Sequence, residues 1–318
     1  MRIDVHAHYY PTALYDLLER LTGRERRRLG GMVPGFAHHV PLEGQLELMD
    51  AVGIDCMVMS LGNTPPYYES QQISVEAARG SNDLYVDLHT RYPRRILAFI
   101  GLPLPHVEDS LAELERGLSL PGVVGVALGC SVLGRPLDDQ AFDPVFAELN
   151  RRRSAVFVHP VGAGGGPNSE EFSLTWMLAS RFEDTIAMAR LILSGLTLRY
   201  PSIRFIIPHL GGTMPLFLQR MDNVAERDGW REKHSRDLMP SDLARRFWFD
   251  TVNEQYSALR CACETFGAER LMLGTDWPML PPDKLKHFVD YVGEALSAEH
   301  ARQILDLNAA RLLGSAAE

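Results

Sequence analysis

Histidine and aspartate side chains stand at the ends of several apolar runs, where they could together bind a metal ion. His6 and His8 are two residues apart at the end of the first such run. Residues i and i+2 of a strand point to the same side, so both imidazoles can converge on one point. Taken alone, the pair also fits two surface or core histidines.

Three further runs end in the same way. His159 and His209 each follow a short apolar run, and Asp276 follows another. Taken singly, each histidine also fits a buried structural residue, and the aspartate also fits a helix N-cap. Taken together, four run ends supply imidazoles and a carboxylate, a ligand set that suits Zn²⁺ or another divalent transition metal.

Eight short apolar runs, which alternate with longer helical patterns, must position these side chains. Most are continuous apolar stretches, as is typical of parallel strands that are buried on both faces. Alternation of strands and helices predicts βα units, and eight units predict a closed (β/α)8 TIM barrel of the α/β class. The runs cover residues 2–5, 54–61, 96–102, 123–128, 155–159, 203–208, 247–251 and 271–275.

The barrel is expected to occupy residues 1–318 as a single domain, because α/β barrels often use ~250 residues or more. An insertion at residues 11–41 follows the first strand, and residues 160–182 follow the fifth. Both are βα connections, so both should lie over the carboxyl-terminal mouth of the barrel. The helical patterns cover residues 43–51, 74–91, 109–117, 143–152, 185–200, 215–225 and 256–266, with C-terminal helices at 283–296 and 298–313.

Composition excludes several classes of protein. The chain has 318 residues, of which 46% are hydrophobic, and its formal net charge is −9. No apolar run approaches the ~18 residues that span a bilayer, so no membrane partner is expected. The negative charge argues against nucleic acid as a partner. No G-x-G-x-x-G motif follows the first run, which disfavours a dinucleotide-binding fold.

The four cysteines predict a chain without a disulfide scaffold. Cys56 and Cys130 lie in apolar runs and fit core thiols, whereas Cys261 and Cys263 should point to different faces of a helix. The amino terminus also lacks the apolar stretch of a signal peptide. A reducing, cytoplasmic location is therefore expected.

The order H-x-H, His, His, Asp resembles the amidohydrolase superfamily. More narrowly, the chain is similar to the amidohydrolase-related family typified by 2-amino-3-carboxymuconate-6-semialdehyde decarboxylase, which includes γ-resorcylate, 5-carboxyvanillate and 6-methylsalicylate decarboxylases. The matching blocks, spread over nearly the whole chain, are IDVHAH (3–8), LMDAVGI (48–54), FVHP (157–160), SG (194–195) with Pro201, HLGG (209–212), RMDN (220–223), GTDWP (274–278) and NAARL (308–312).

The resemblance implies that His6, His8, His159 and Asp276 bind one divalent metal ion. Binuclear members of the superfamily bridge two metals with a lysine at the end of the fourth strand, and residues 123–129 contain no lysine. Some decarboxylases of the family that resemble manganese enzymes have Glu in place of the first histidine of H-x-H. The histidine here favours Zn²⁺, with Mn²⁺ as the alternative.

The resemblance also assigns catalytic and substrate-binding roles. His209, together with Asp276, would exchange protons beside the metal. Arg220 would bind the substrate carboxylate of a neighbouring subunit, which implies a homodimer or higher homo-oligomer. The family's other carboxylate-binding arginine lies in the loop after the first strand, where this chain has His38 and His39 instead.

Aromatic residues in the predicted mouth loops favour a flat substrate. An apolar, aromatic-lined cavity suits a ring better than an open-chain acid. The residues are Phe172, Trp176 and Trp277, together with Tyr9, Phe36 and Met279.

The function predicted is metal-dependent, non-oxidative decarboxylation of an aromatic or unsaturated carboxylic acid. Loss of CO₂ leaves carbanion charge, which protonation of the reacting carbon relieves. The same constellation also fits hydrolysis of an ester, lactone or amide, because a metal makes hydroxide available at neutral pH. A hydratase of an unsaturated acid is a third alternative, and a barrel that only binds ligands is a fourth.

Overall fold

Parallel strands separated by helices build the part of the chain that the computed structural model describes, residues 1–23, 41–165, 167–279 and 281–314. Eight of its ten strands form one parallel sheet and the other two pair as a small hairpin, which confirms the predicted (β/α)8 TIM barrel. The strands are β1 (Ile3–His8), β2 (Cys56–Ser60), β3 (Ile96–Gly101), β4 (Val123–Gly129), β5 (Ser131–Val132), β6 (Arg135–Pro136), β7 (Ala155–His159), β8 (Arg204–Ile207), β9 (Trp248–Asp250) and β10 (Leu271–Met272).

The barrel closes through the residues that follow the short strand β10. This segment continues along β1, where Val5 donates its backbone N–H to the Leu273 carbonyl (2.9 Å) and Asp276 donates to the His6 carbonyl (2.8 Å). The predicted last strand, residues 271–275, therefore pairs as an extended segment although only its first two residues form regular strand. The closure carries Asp276 to the same end of the barrel as His6.

The helices lie between the strands and after them, as the sequence pattern predicts. The predicted helix at 185–200 is divided, because Gly195 has a positive φ of 74° that ends one helix and starts another. The helices are α1 (Thr12–Thr22), α2 (Leu42–Val52), α3 (Gln71–Arg91), α4 (Val107–Gly117), α5 (Asp143–Arg151), α6 (Ser180–Leu193), α7 (Leu196–Arg199), α8 (Leu218–Arg227), α9 (Trp230–Lys233), α10 (Pro240–Ala244), α11 (Tyr256–Phe266), α12 (Leu285–Ala295), α13 (Ala298–Arg302) and α14 (Asn308–Leu313).

Two short segments form π-helix, and part of the predicted insertion after the first strand lies outside the described residues. Single turns of π-helix at Thr175–Ala179 and Gln303–Leu307 precede α6 and join α13 to α14. Of the insertion after the first strand, the structure describes α1, whereas Phe36, His38 and His39 lie outside the described residues.

The last helix covers the amino-terminal end of the barrel. Phe99 and Phe157 belong to a buried cluster that includes Leu312 of α14. Arg204, which begins β8, also donates to the Leu312 carbonyl. One end of the barrel is thus closed by apolar packing, and the carboxyl-terminal end remains for the candidate site. Among the described residues, no helix combines the length and apolar character needed to cross a membrane.

Candidate active site

Four of the predicted metal-binding residues meet at the carboxyl-terminal end of the barrel. His6 and His8 come from β1, His159 ends β7, and Asp276 lies in the segment that closes the barrel. One ligand atom from each residue lies within 4.8 Å of the others. All three histidines are buried. Side chains that are distant in sequence therefore converge to form one compact donor set.

The hydrogen bonds of the three histidines aim the same ring atom into this cluster. In each imidazole Nδ1 faces an oxygen that can accept its proton, so a neutral ring has its lone pair at Nε2. Such outer partners fix the tautomer and the orientation of a metal ligand. The acceptors are Asp250 Oδ2 for His6 (2.7 Å), the Ser60 carbonyl for His8 (3.1 Å) and the Pro160 carbonyl for His159 (2.8 Å).

The electrostatics of the cluster favour a cation. Burial lowers the pKa of His8 and, with the neighbouring imidazoles, holds the pKa of His159 well below its usual range. Burial also acts against the charged form of His6, but Asp276 and Asp250 outweigh it and raise the pKa of His6. Burial disfavours the charged Asp276, yet His6 and the hydrogen-bonding imidazoles hold its pKa well below the usual range. Without a metal, the two carboxylates therefore attract a proton to His6.

The donor set fits a divalent transition metal. His6 Nε2 and His8 Nε2 lie 3.2 Å apart. If both rings are neutral and donate through Nδ1, the lone pairs on these two nitrogens face and repel each other. The buried Nε2 atom of His159 has no hydrogen-bond partner among the described residues. Three imidazole nitrogens and one carboxylate form a set that binds zinc and related ions. A cation between them would satisfy all of these atoms at once.

His209 stands beside this cluster with one ring nitrogen free. It follows β8 at a positive φ of 56°, and its backbone N–H donates to Asp250 Oδ1 (2.7 Å). Its Nδ1 bonds to Asp184 Oδ2 (2.8 Å), so the other nitrogen, Nε2, points away from the carboxylate. This Nε2 has no hydrogen-bond partner among the described residues and lies 3.6 Å from Asp276 Oδ2. The arrangement holds an imidazole with a free ring nitrogen next to the metal-binding group, as the predicted acid/base role of His209 requires.

Two residues that hold histidines of the candidate site were missed in the sequence. Asp250, at the end of β9, connects His6 and His209; like Asp276 it is an aspartate at the end of an apolar run, so the same signal could have found it. Asp184 lies within α6, and only the packing of this helix on the barrel brings it to His209. Burial raises the pKa of Asp184, while the His209 imidazole acts against that shift.

A cavity of about 640 Å³ opens above the cluster. His159, His209 and Asp276 form part of its floor. Its apolar wall is formed by Phe172 (82% exposed) and Trp176, together with Met177, Met279 and Phe288. The structure therefore brings the predicted aromatic residues 172 and 176 next to the metal-binding residues.

Trp277 takes a different place from the one predicted. Its side chain is 2% exposed and belongs to the hydrophobic core, and it is not among the residues that line the cavity. Trp277 forms an isolated parallel bridge with Ala7 of β1. Asp276 has a positive φ of 56°, so the backbone turns here, and Asp276 joins the metal-binding group while Trp277 packs into the core.

Arg220 also lies away from the cavity of its own chain. It is exposed on α8, in a groove of about 490 Å³ whose other wall includes Ala189 and Leu193 of α6. Phe217 and Val224 lie in the same groove. Within one chain, the described structure does not bring Arg220 to the metal-binding residues.

A glycine controls the position of one metal ligand. A Cβ atom at Gly62 would lie 2.6 Å from Cε1 and 3.0 Å from Nε2 of His8. We expect Gly62→Ala to displace this imidazole and to weaken zinc affinity about ten- to hundred-fold, measured by competition with a chromogenic chelator. Gly134→Ala is the matched control, because Gly134 also has a positive φ (81°) but no atom within 4 Å of its Cβ position. Equal affinities in the two variants would contradict the prediction.

A (β/α)8 barrel with a buried His/Asp donor set at its carboxyl-terminal end defines a metal-dependent barrel enzyme. More particularly, the chain belongs to the amidohydrolase family, whose model matches residues 3–315. This match confirms the resemblance found in the sequence.

Individual relatives are decarboxylases. A 2-amino-3-carboxymuconate-6-semialdehyde decarboxylase from Dictyostelium discoideum is 24% identical, over 97% of this chain and 92% of its own length. A γ-resorcylate decarboxylase from Rhizobium radiobacter is 29% identical, over 84% of this chain and 85% of its own. A 5-carboxyvanillate decarboxylase from Novosphingobium aromaticivorans, solved with manganese and 4-hydroxy-3-methoxy-5-nitrobenzoic acid, has the same fold (TM-score 0.83, 20% identity, 98% and 96% coverage).

Proposed function

We propose that this protein is a metal-dependent, non-oxidative decarboxylase of an aromatic carboxylic acid. The observation that carries the proposal is the free Nε2 of His209, which Asp184 orients beside the metal-binding residues. The aromatic wall of the cavity suits a flat ring, and the relatives named above are decarboxylases. We further propose that residues 1–318 act as one catalytic domain.

The cofactor that we propose is a single divalent metal ion, with zinc favoured. Zinc binds imidazole nitrogen and carboxylate oxygen readily, and His6, His8, His159 and Asp276 provide that set. Manganese is the alternative, since it occupies a related decarboxylase. When bound, the metal would orient the substrate's carboxylate and an adjacent oxygen and stabilise negative charge.

The chain's own residues provide the proton transfer. The apolar wall, which includes Trp176 and Phe288, holds the ring and keeps water from its faces. His209 carries a proton at Nε2 and delivers it to the ring carbon that bears the carboxylate. The new C–H bond replaces the bond to the carboxylate, which leaves as CO₂, and His209 regains its proton from solvent. Asp184 stabilises the charged imidazole throughout this exchange.

The experiment that tests this proposal is a substrate panel with the metal-loaded protein. Hydroxybenzoates and related aryl acids are assayed for CO₂ release, and esters, lactones and amides are assayed for hydrolysis. We expect CO₂ release from at least one aryl acid. Hydrolysis without CO₂ release would overturn the proposal in favour of a hydrolase.

We also propose that the protein is a homodimer in the cytoplasm. Leu178, Phe182 and Ile186 recur every fourth residue, so they share one exposed face that begins beside the cavity wall. An apolar face of this kind favours contact with another protein surface. Arg220 lies in the adjoining groove. A second copy bound to this face would have the arginine of the first copy beside the mouth of its own cavity. A cytoplasmic location is supported by the cysteines, which are all free thiols.

Charged substitutions on this apolar face test the dimer. We expect Phe182→Glu combined with Ile186→Glu to convert a dimer into a monomer, because each carboxylate would be buried without a partner. Sedimentation velocity of both proteins at micromolar concentration measures the change. Leu133→Glu, which alters an exposed apolar residue on the β5–β6 hairpin, should leave the dimer intact. A wild-type protein that sediments as a monomer would contradict the proposal.

A further inference from the structure

The cavity contains one arginine that the proposed mechanism does not use. Arg181, in the first turn of α6, is half-buried and is the one lysine or arginine among the described residues that line the cavity. Its guanidinium donates to Ser180 Oγ (3.1 Å) and forms no ion pair with a carboxylate of the described chain. A guanidinium has five N–H donors, and Ser180 Oγ is the acceptor that the described structure gives to those of Arg181.

The backbone that carries Arg181 is held firmly by its neighbours. Glu183 accepts the backbone N–H groups of residues 161–163, at distances of 2.9 to 3.1 Å. Asp184 bonds to His209. The carbonyl of Arg181 lies against the position that a Cβ at Gly212 would occupy, so only a glycine permits this close approach. The helix start is thus fixed against the turn that follows His209.

The position of Arg181 relates it to the reacting end of the cavity. Arg181 and Asp184 are three residues apart on α6, so they share a helix face with about 4.5 Å of axial rise between them. Asp184 holds His209 at the floor, and its Oδ2 is already engaged there. The backbone of Arg181 therefore lies about one helical turn from that of Asp184, and both Arg181 and His209 line the same cavity.

The other charges of the cavity show what Arg181 would bind. Glu254 and Asp276 are the acidic residues among its described lining, and Arg181 is the one lysine or arginine there that attracts an anion to the wall. An aryl acid with one carboxylate needs a single cationic contact. A fixed second cation, without a carboxylate partner, matches a second anionic group on the same ring.

We propose that Arg181 binds a second carboxylate of the substrate and that this enzyme therefore acts on aromatic dicarboxylic acids. This proposal rests on the proposed function and names its substrate class. The carboxylate that is lost lies at the metal-binding residues. The carboxylate that stays accepts paired N–H groups from Arg181.

Direct binding separates this role from catalysis. Isothermal titration calorimetry of the zinc-loaded full chain is carried out with benzoate, which has one carboxylate, and isophthalate, which has two. We expect isophthalate to bind about ten- to hundred-fold more tightly, the effect of charge-assisted hydrogen bonds to a second anion. Arg181→Ala should abolish this preference and leave benzoate affinity unchanged. Arg181→Lys should restore part of it. Circular dichroism establishes that each variant is folded.

A matched control is present on the same helix. Arg190 bonds to Asp138 on the outer surface, so Arg190→Ala should keep the full preference for isophthalate. Equal binding of both acids by the wild type, or equal weakening of both by Arg181→Ala, would overturn the proposal. A preference that depends on Arg181 without CO₂ release from any acid would instead contradict only the proposed function.

Discussion

Replacement of His209 with asparagine is expected to lower kcat by about 10²- to 10⁴-fold while one metal ion per chain stays bound. The imidazole is the proposed proton donor, and it is not one of the four clustered metal-binding residues. Asparagine is preferred to alanine because it tolerates the positive φ of 56° at this position. The bond from the backbone N–H of residue 209 to Asp250 does not involve the side chain, so the asparagine variant keeps it. Steady-state kinetics and metal analysis of the same preparation measure the two effects.

Asp184→Asn tests the part of this mechanism that lies behind His209. Loss of the carboxylate charge destabilises the protonated imidazole, so we expect kcat to fall about tenfold or more and KM to stay close to wild type. The pH profile of kcat should change with it, which a purely structural role would not produce. His300→Asn, which changes an exposed histidine on α13, is the control and should behave as wild type.

Normal turnover by the His209 variant would refute the acid/base assignment.

Loss of His159 is expected to abolish both metal binding and activity. Its Nε2 is buried without a hydrogen-bond partner among the described residues, and His159 belongs to the group of four whose ligand atoms lie within 4.8 Å of one another. We expect His159→Ala to retain much less than one metal ion per chain and to fall to background turnover. Elemental analysis after dialysis measures the metal directly.

Chelation tests the same site without a substitution. Treatment with a strong chelator should remove activity, and zinc should restore it if the proposed cofactor is right. Metal that binds only the folded protein also raises the melting temperature, so the apoprotein should melt earlier than the reloaded protein. A chelated protein that keeps full activity would contradict a metal-dependent mechanism. If manganese restores activity and zinc does not, the cofactor is manganese.

The sequence predicted the barrel because its information is local and repeated. Continuous apolar runs of four to eight residues predict buried parallel strands, and each of the eight runs overlaps one. The residues at the ends of these strands could be assigned to one site because the parallel strands of a barrel all point the same way, so their carboxyl ends meet at one face. His6, His8, His159 and Asp276 were therefore recognisable as neighbours although they are far apart in sequence.

The outer partners of the site were not predictable in the same way. Asp184 lies on a helix, where a buried acidic residue has no periodic signal that distinguishes it from a surface charge. The unused charge of Arg181 likewise depends on which residues face the cavity. The direction of Trp277 followed from how residues 273–277 pair with β1, which no local spacing encodes.

The sequence by itself determined the order of the elements, the family and the residues at the strand ends, because strand periodicity and motif spacing are properties of short segments. The tertiary structure alone decided the tautomer of each histidine and the partner of His209. It also decided that Arg181 lines the cavity while Arg220 lies in a separate groove. These features arise from contacts between helices and strands, and such contacts exist only once the barrel has closed.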